Sequence, residues 1–263
     1  MNRKLIELNP DSFPKEIQRF LRGAEAYDSS CSPAARVVYI DKDGGLFVKE
    51  AASGTLKTEA SMTAYMHSLN LSAEVLYYGS HEGKDYLVTR RIRGEDCTDS
   101  GYLNDPKRLC DTLATLLRQL HEIDPKDCPV QDRNLSYVES VRRGIWRRSF
   151  ESDLFAGLFE FESFDEARRA AEEGFPLMKR DALLHGDYCL PNIILDDWKF
   201  SGFIDVGNGG IGDRHIDVLW GIWTFNFNLG TFQYTDRFLD VYGRDKVEPE
   251  MLRHIAAMEM IGG

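Results

Sequence analysis

The stretch Leu183-Leu184-His185-Gly186-Asp187-Tyr188-Cys189-Leu190-Pro191-Asn192-Ile193-Ile194-Leu195 sets a histidine, an aspartate and an asparagine inside an otherwise apolar run. Polar groups held among Leu, Ile and Pro cost free energy unless they are paired or bound to something. A plain turn between two core strands that happens to use Asp and Asn would also give this pattern, so the surrounding chain must separate the two readings. Downstream, "NIILD" and "FSGFID" read as two short strands turning at Asp197-Trp198, and Asp205 closes the second, eighteen residues after Asp187. Such a hairpin carries Asn192 and Asp205 toward each other, and an amide oxygen with a carboxylate makes a plausible site for a hard cation.

Upstream, "RVVYI" (36–40) and "LFVKE" (46–50) are β-branched and aromatic runs joined through Asp43-Gly44, a strong hairpin signal. A helix is expected at roughly 55–69, with Met62, Tyr65, Met66 and Leu69 on one face. "EVLYYG" and "DYLVTR" then flank "SHEGK", a second hairpin candidate. Lys49 sits on a strand between apolar residues, and Glu59 follows ten residues later on the helix. A lone strand lysine usually faces solvent. Paired with a helix carboxylate, it matches how kinases hold the α- and β-phosphates.

Beyond "RRIRGED" the pattern becomes helical. Leu109, Leu113, Leu116, Leu117 and Leu120 share a face, with Pro106 suited to a first turn. The chain reads as helical from 134 to 180, with runs such as "DEARRAAEE" as solvated surface, and again from Arg214 onward. The tryptophans of "DVLWGIWTFNF" are read as core. The expected fold class is therefore α+β with two lobes, a β-rich 1–92 and a larger, mostly helical 93–263, and ligands tend to bind at such a junction.

Composition narrows the function classes. The 263 residues, 43% hydrophobic and 29% charged, suit a folded chain rather than a disordered one. A net charge of −11 argues against a general nucleic-acid surface and permits a cationic small molecule, although acidity for solubility alone reads equally well. No apolar run approaches the ~18–20 residues that span a bilayer, and the first residues carry no apolar stretch of signal-peptide length. A cytoplasmic protein with no membrane partner is expected. The five cysteines, Cys31, Cys97, Cys110, Cys128 and Cys189, are odd in number and form no CxxC pair, so neither a disulfide framework nor a zinc site is indicated. Cys189 lies within the opening motif, but nothing around it is built to make a thiolate.

"HGDYCLPN" (185–192) followed by "SGFIDVGNGGIGDRHIDV" (201–218) resembles the paired signature of the aminoglycoside phosphotransferases, relatives of the protein kinases, and most closely their 3′-phosphotransferase (kanamycin kinase) branch. The similarity runs through "SCSPAA", "FVKE", "LKTEA", "RQLHEIDPKDCP" and "DRFLDVYG". It implies a two-lobed protein-kinase-like fold and transfer of the γ-phosphate of ATP or GTP, with Mg²⁺, to a hydroxyl of a cationic drug, the 3′-hydroxyl of an aminoglycoside leading. It also implies Asp187 as catalytic carboxylate and Asn192 and Asp205 as metal ligands. Lys49 would contact the phosphates and pair with Glu59, and Ser32 would lie in a nucleotide loop that is not GxGxxG. Phe47 would stack on adenine, Ile194 and Ile204 would form the other wall, and the connector Arg90, Arg91 and Ile92 would bond the base. His185 is implied as a support of its loop rather than a base, and Asp217 as an organiser rather than a ligand. The substrate-binding positions implied are the acids Glu151, Asp153 and Glu259, together with Asn208.

Three departures from the family pattern stand out. Asn208 occupies the place where kanamycin kinases usually carry Arg after the glycine of IDxG, and an amide supplies neither charge nor guanidinium fork. At the end, "AAMEMIGG" keeps Glu259 but has Met258 and Ile261 where a second acid and a terminal aromatic are usual. The connector "TRRIRG" is unusually basic. These departures favour, as the rival reading, a kinase of the same fold for another small molecule or antibiotic; a nucleotide-binding pseudokinase is the reading from a different class.

Overall fold

In the computed structural model, which describes residues 4–31 and 33–263, the contacts divide the chain into two units, residues 1–94 with 201–207 and residues 95–200 with 208–263. The first unit thus takes back a short segment that a single cut at 92 leaves with the second.

The first unit contains β1 (Lys4–Ile6), α1 (Lys15–Leu21), β2 (Glu25–Asp28), β3 (Arg36–Asp41), β4 (Leu46–Ala52), α2 (Lys57–Ser68), β5 (Val75–His81) and β6 (Lys84–Arg90). Its six strands form an antiparallel sheet in the order β1-β2-β3-β4-β6-β5. The β5–β6 hairpin turns through Glu82 and Gly83, both at positive φ, as a two-residue turn between twisted strands requires. Period-two alternation sends Val38, Ile40, Leu46, Val48 and Val88 to one face, where they bury Ile17 and Leu21 of α1 and Phe13. The opposite face carries Val37, Phe47, Lys49, Leu87 and Thr89, and the register pairs Val37 with Lys49, Lys49 with Leu87 and Phe47 with Thr89. One face is therefore spent on stability and the other is left for a site.

The second unit contains β7 (Glu95–Asp96), α3 (Ser100–Leu103), α4 (Pro106–His121), α5 (Arg133–Arg147), α6 (Phe164–Gly174), β8 (Ala182–Leu184), β9 (Ile193–Asp196), the start of β10 (Lys199–Phe203), β11 (Gly210–Gly212), α7 (His215–Leu229), α8 (Thr235–Tyr242) and α9 (Pro249–Ile261). Helix α4 starts with Pro106 in its first turn behind Asp105, and buries Leu109, Leu113, Leu117 and Leu120. The expected helix over 134–180 is broken. Arg148 ends α5 in the left-handed conformation, and a loop runs to Ser163. Ser163 then caps α6 by accepting from the Glu166 amide at 3.2 Å, while the Glu166 carboxylate accepts from the Glu162 amide at 2.8 Å. Helix α9 is the buried axis of this unit. Its neighbour α5 approaches so closely at Gly144 that an added Cβ would lie 2.1 Å from the Ile261 carbonyl. The β9–β10 hairpin turns through Asp197 and Trp198, both at positive φ, at the expected place.

Candidate active site

In the first unit, Phe47 and Lys49 lie two residues apart on β4 and so face the same side. With Val37, Leu87, Thr89 and Ile204 they line a cavity of about 180 Å³. Lys49 Nζ donates to both carboxylate oxygens of Glu59, at 2.8 and 2.9 Å, and to Asp205 Oδ1 at 2.6 Å. Burial works to lower the Lys49 pKa, but Asp205 and Glu59 outweigh it and hold the ammonium above its ordinary value, so it stays charged at any working pH. Burial pushes the Glu59 carboxyl upward against the pull of Lys49.

The cavity takes in Phe47, Lys49, Glu59, Ile204 and Asp205 together. Arg90 and Ile92 are not part of its lining. The Arg90 amide donates to the Glu74 carbonyl and the Arg91 amide to the Gly45 carbonyl, each at 2.9 Å, so these two donors are already committed. The Arg90 side chain pairs with Glu74 at 2.8 Å, which accounts for one charge of the basic connector. Ile92 packs over Gly202. Ser32 lies outside the described residues, and Ile194 belongs to the second unit.

In the second unit the opening stretch forms β8, a turn, a 3₁₀ segment at Leu190–Asn192 and β9. Asp217 Oδ2 accepts from the His185 amide at 2.7 Å and Asp217 Oδ1 from the Gly186 amide at 2.8 Å, while the Asp187 amide donates to His185 Nδ1. The buried carboxylate of Asp217 therefore holds the loop by its backbone. Asn192 Nδ2 donates to Asp187 Oδ2 at 2.9 Å and to the Asp187 carbonyl at 3.0 Å, which fixes the carboxylate from the far end of the motif. Burial, and then Asp187, push the Cys189 thiol upward, so it carries no thiolate for nucleophilic attack. Among the described residues every cysteine is free.

Asp187 opens on a polar cavity of about 310 Å³ that also takes in Arg133, Tyr137, Asn208, Trp220 and Glu259. Tyr137 Oη donates to Glu259 Oε1 at 2.9 Å. Burial raises the Glu259 pKa to about 7, partly offset by hydrogen bonds from Tyr137 and Trp220 and by the charge of Arg133. Asn208 and Glu259 thus share a cavity with Asp187, whereas Glu151 and Asp153 do not line it. Glu151 is exposed, its amide donating to the Met260 carbonyl, and Asp153 borders a separate cavity with Trp223 and Phe227.

Sequence reasoning missed the α5 wall. Arg133, Ser136, Tyr137, Ser140 and Arg143 follow one another at helical spacing along the cavity, a polar stripe to which the sequence alone assigns no role. It also placed Trp220 in the core, where the structure has it lining the cavity that holds Asp187 and Glu259.

The residues fit magnesium in kind. That ion keeps several waters and takes one or two protein oxygens beside those of phosphate. None of the described hydrogen bonds uses the Asn192 side-chain oxygen, because its nitrogen is the end committed to Asp187. The Asp205 side chain is half exposed. Among the described residues no cluster of three or more His, Cys, Asp or Glu could hold a metal unaided.

Comparison with known proteins gives the class first. Solved structures with the same fold include an aminoglycoside-3′-phosphotransferase of type VIII (TM-score 0.75, 24% identity, 94% of this chain and all of that one). Another is an aminoglycoside phosphotransferase from Streptomyces rimosus in complex with ADP and streptomycin (TM-score 0.67, 22% identity, 85% of this chain and 90% of that one). The fold is protein-kinase-like, α+β, and the molecule is a phosphotransferase that acts on a hydroxyl. A model of the phosphotransferase enzyme family matches residues 29–254, and a probable aminoglycoside 3′-phosphotransferase of Lactococcus lactis is 45% identical over 99% of both chains. An aminoglycoside 3′-phosphotransferase of Niallia circulans is 27% identical over 94% of this chain and 97% of its own. The chain belongs to the aminoglycoside phosphotransferase family.

Proposed function

We propose that the protein transfers the γ-phosphate of ATP to the 3′-hydroxyl of an aminoglycoside, and so confers resistance to such drugs. The observation that carries this reading is the Asp187 carboxylate, held by Asn192 at 2.9 Å and opening on a cavity that also holds a second acid, Glu259. A carboxylate fixed in that way can orient an acceptor hydroxyl for in-line attack and take its proton as the bond to phosphorus forms. The full-length likeness to a probable 3′-phosphotransferase supports the regiochemistry.

In this reading the β4 face receives the nucleotide. Phe47 and Ile204 contact the base, and Lys49, kept charged by Glu59 and Asp205, restrains the phosphates. Asn192 and Asp205 would each offer an oxygen to Mg²⁺, which when bound would neutralise phosphate charge. Glu259 meets a drug amine, and its charge grows as pH rises through about 7. Catalysis is then mostly positioning and charge stabilisation.

Asp187→Ala tests the assignment. The variant is expected to lose turnover in a coupled assay with MgATP and an aminoglycoside, while MgATP still raises its unfolding temperature as in the parent. Near-parental turnover would sink the role given to Asp187.

A further inference from the structure

Position 208 offers an amide where a guanidinium is usual in the resembling branch, yet the Asp187 cavity does contain a guanidinium, supplied from another element. Arg133, the first residue of α5, donates from Nε to the Asn208 main-chain carbonyl at 2.7 Å and from Nη1 to Ser136 Oγ at 2.6 Å. Its Nη2 reaches Asn208 Oδ1 at 3.5 Å. These acceptors are all neutral, and among the described residues no carboxylate forms an ion pair with Arg133. Glu259 and Asp217 favour its charge from a distance, but burial still lowers the Arg133 pKa, and a half-buried guanidinium that makes no ion pair is an expensive way to hold a turn.

What it grips makes sense of that cost. The Asn208 carbonyl oxygen lies 1.9 Å from the point where a Cβ on Gly186 would stand, and Gly186 has φ +83°. Only glycine permits this approach. The next residue is Asp187. Arg133, Asn208, Gly186 and Asp187 therefore form an unbroken series of direct contacts and chain neighbours, running from a rigid helix to the carboxylate.

We propose that Arg133 is a positioning residue for Asp187: it clamps the Asn208 carbonyl against Gly186 and so fixes the turn that aims the carboxylate, providing from α5 the guanidinium that position 208 lacks. This rests on the reading that Asp187 orients the acceptor hydroxyl. Because Arg133 also stands on the wall of the cavity, its charge works against binding of a cationic acceptor, so its contribution belongs to kcat and not to acceptor affinity.

The test uses Arg133→Gln, Arg133→Lys and the double variant Arg133→Gln with Asn208→Arg. In Arg133→Gln, kcat is expected to fall roughly 10- to 100-fold, the range a small misplacement of a reacting group produces. KM for the acceptor should be unchanged or lower, and the MgATP-induced rise in unfolding temperature should be retained. Arg133→Lys, which keeps the charge but not the fork, should recover little. The double variant, which restores a guanidinium from the other side, should recover a large part. Hydrogen exchange at the Gly186 and Asp187 amides, bonded in the parent to Asp217 and His185, should quicken in Arg133→Gln. That readout needs no acceptor, whereas parental turnover of aminoglycosides tests the underlying reading separately. An Arg133→Gln variant with kcat within twofold of the parent and unchanged exchange would overturn the inference. So would a raised acceptor KM at constant kcat, or a double variant no better than Arg133→Gln alone.

Discussion

Asp205 holds its backbone at φ +56° while its carboxylate meets Lys49 at 2.6 Å. A non-glycine residue in the left-handed region stores strain, which clusters at sites where side-chain aim matters more than local comfort. Asparagine tolerates the same backbone, so Asp205→Asn removes charge with little change of shape. This variant is expected to unfold within about 2 °C of the parent, yet lose the MgATP-induced rise in unfolding temperature and at least 100-fold in turnover. Calorimetry with and without MgATP checks it; retained stabilisation by nucleotide would remove Asp205 from the site.

Glu259 allows a prediction with a defined sign. Its folded pKa of about 7 lies above the ordinary value of 4.5, so between those pH values the folded protein keeps a proton that the unfolded chain has released. Stability from the neutral carboxyl is therefore complete below about pH 4.5 and declines as pH rises to about 7, by an amount on the order of 3 kcal/mol. Glu259→Gln, neutral throughout and still able to accept from Tyr137, should unfold at the same temperature as the parent at pH 5 and at a higher one at pH 8. Equal unfolding temperatures at both pH values would contradict the shift.

Among the elements, those bounded by local chemistry were legible in the sequence. The Asp43-Gly44, Glu82-Gly83 and Asp197-Trp198 turns stand where the sequence places them, at positive φ that Gly and Asp tolerate but a bulky Trp198 ordinarily does not. Helix α4 starts at its proline and buries Leu109, Leu113, Leu117 and Leu120, with Leu116 only partly covered. The loop between α5 and α6 was not legible, because its Phe and Leu residues mimic an apolar helical stripe and the Ser163–Glu166 capping signal is short. Sites followed the same division. Asp187, Asn192 and Asp205 stand out as polar residues in apolar surroundings. Arg133 and Tyr137 do not, because a polar stripe on a helix looks alike whether it faces water or a cavity. Glycines at close crossings are equally silent in sequence. Gly144→Ala is expected to cost about 1–3 kcal/mol, because its Cβ would meet the Ile261 carbonyl and push α5 from α9. A drop of several degrees in unfolding temperature would register it, and an unchanged one would mean that the crossing relaxes freely.

At the scale of the whole molecule, each unit carries a cavity of its own. The sheet unit presents a cavity with a clamped lysine, and the helical unit presents a carboxylate at a polar cavity with an arginine and a second acid. No helix among the described residues is long and apolar enough to cross a membrane. Chelation with EDTA is expected to abolish turnover and to weaken stabilisation by ATP, and added Mg²⁺ to restore both. The central claim concerns the acceptor atom, and a pair of drugs isolates it. With MgATP in a coupled assay, the parent protein is expected to phosphorylate kanamycin and to leave tobramycin, which lacks the 3′-hydroxyl, untouched. Turnover of both drugs, or of neither, would contradict the assignment of the 3′-hydroxyl as the acceptor.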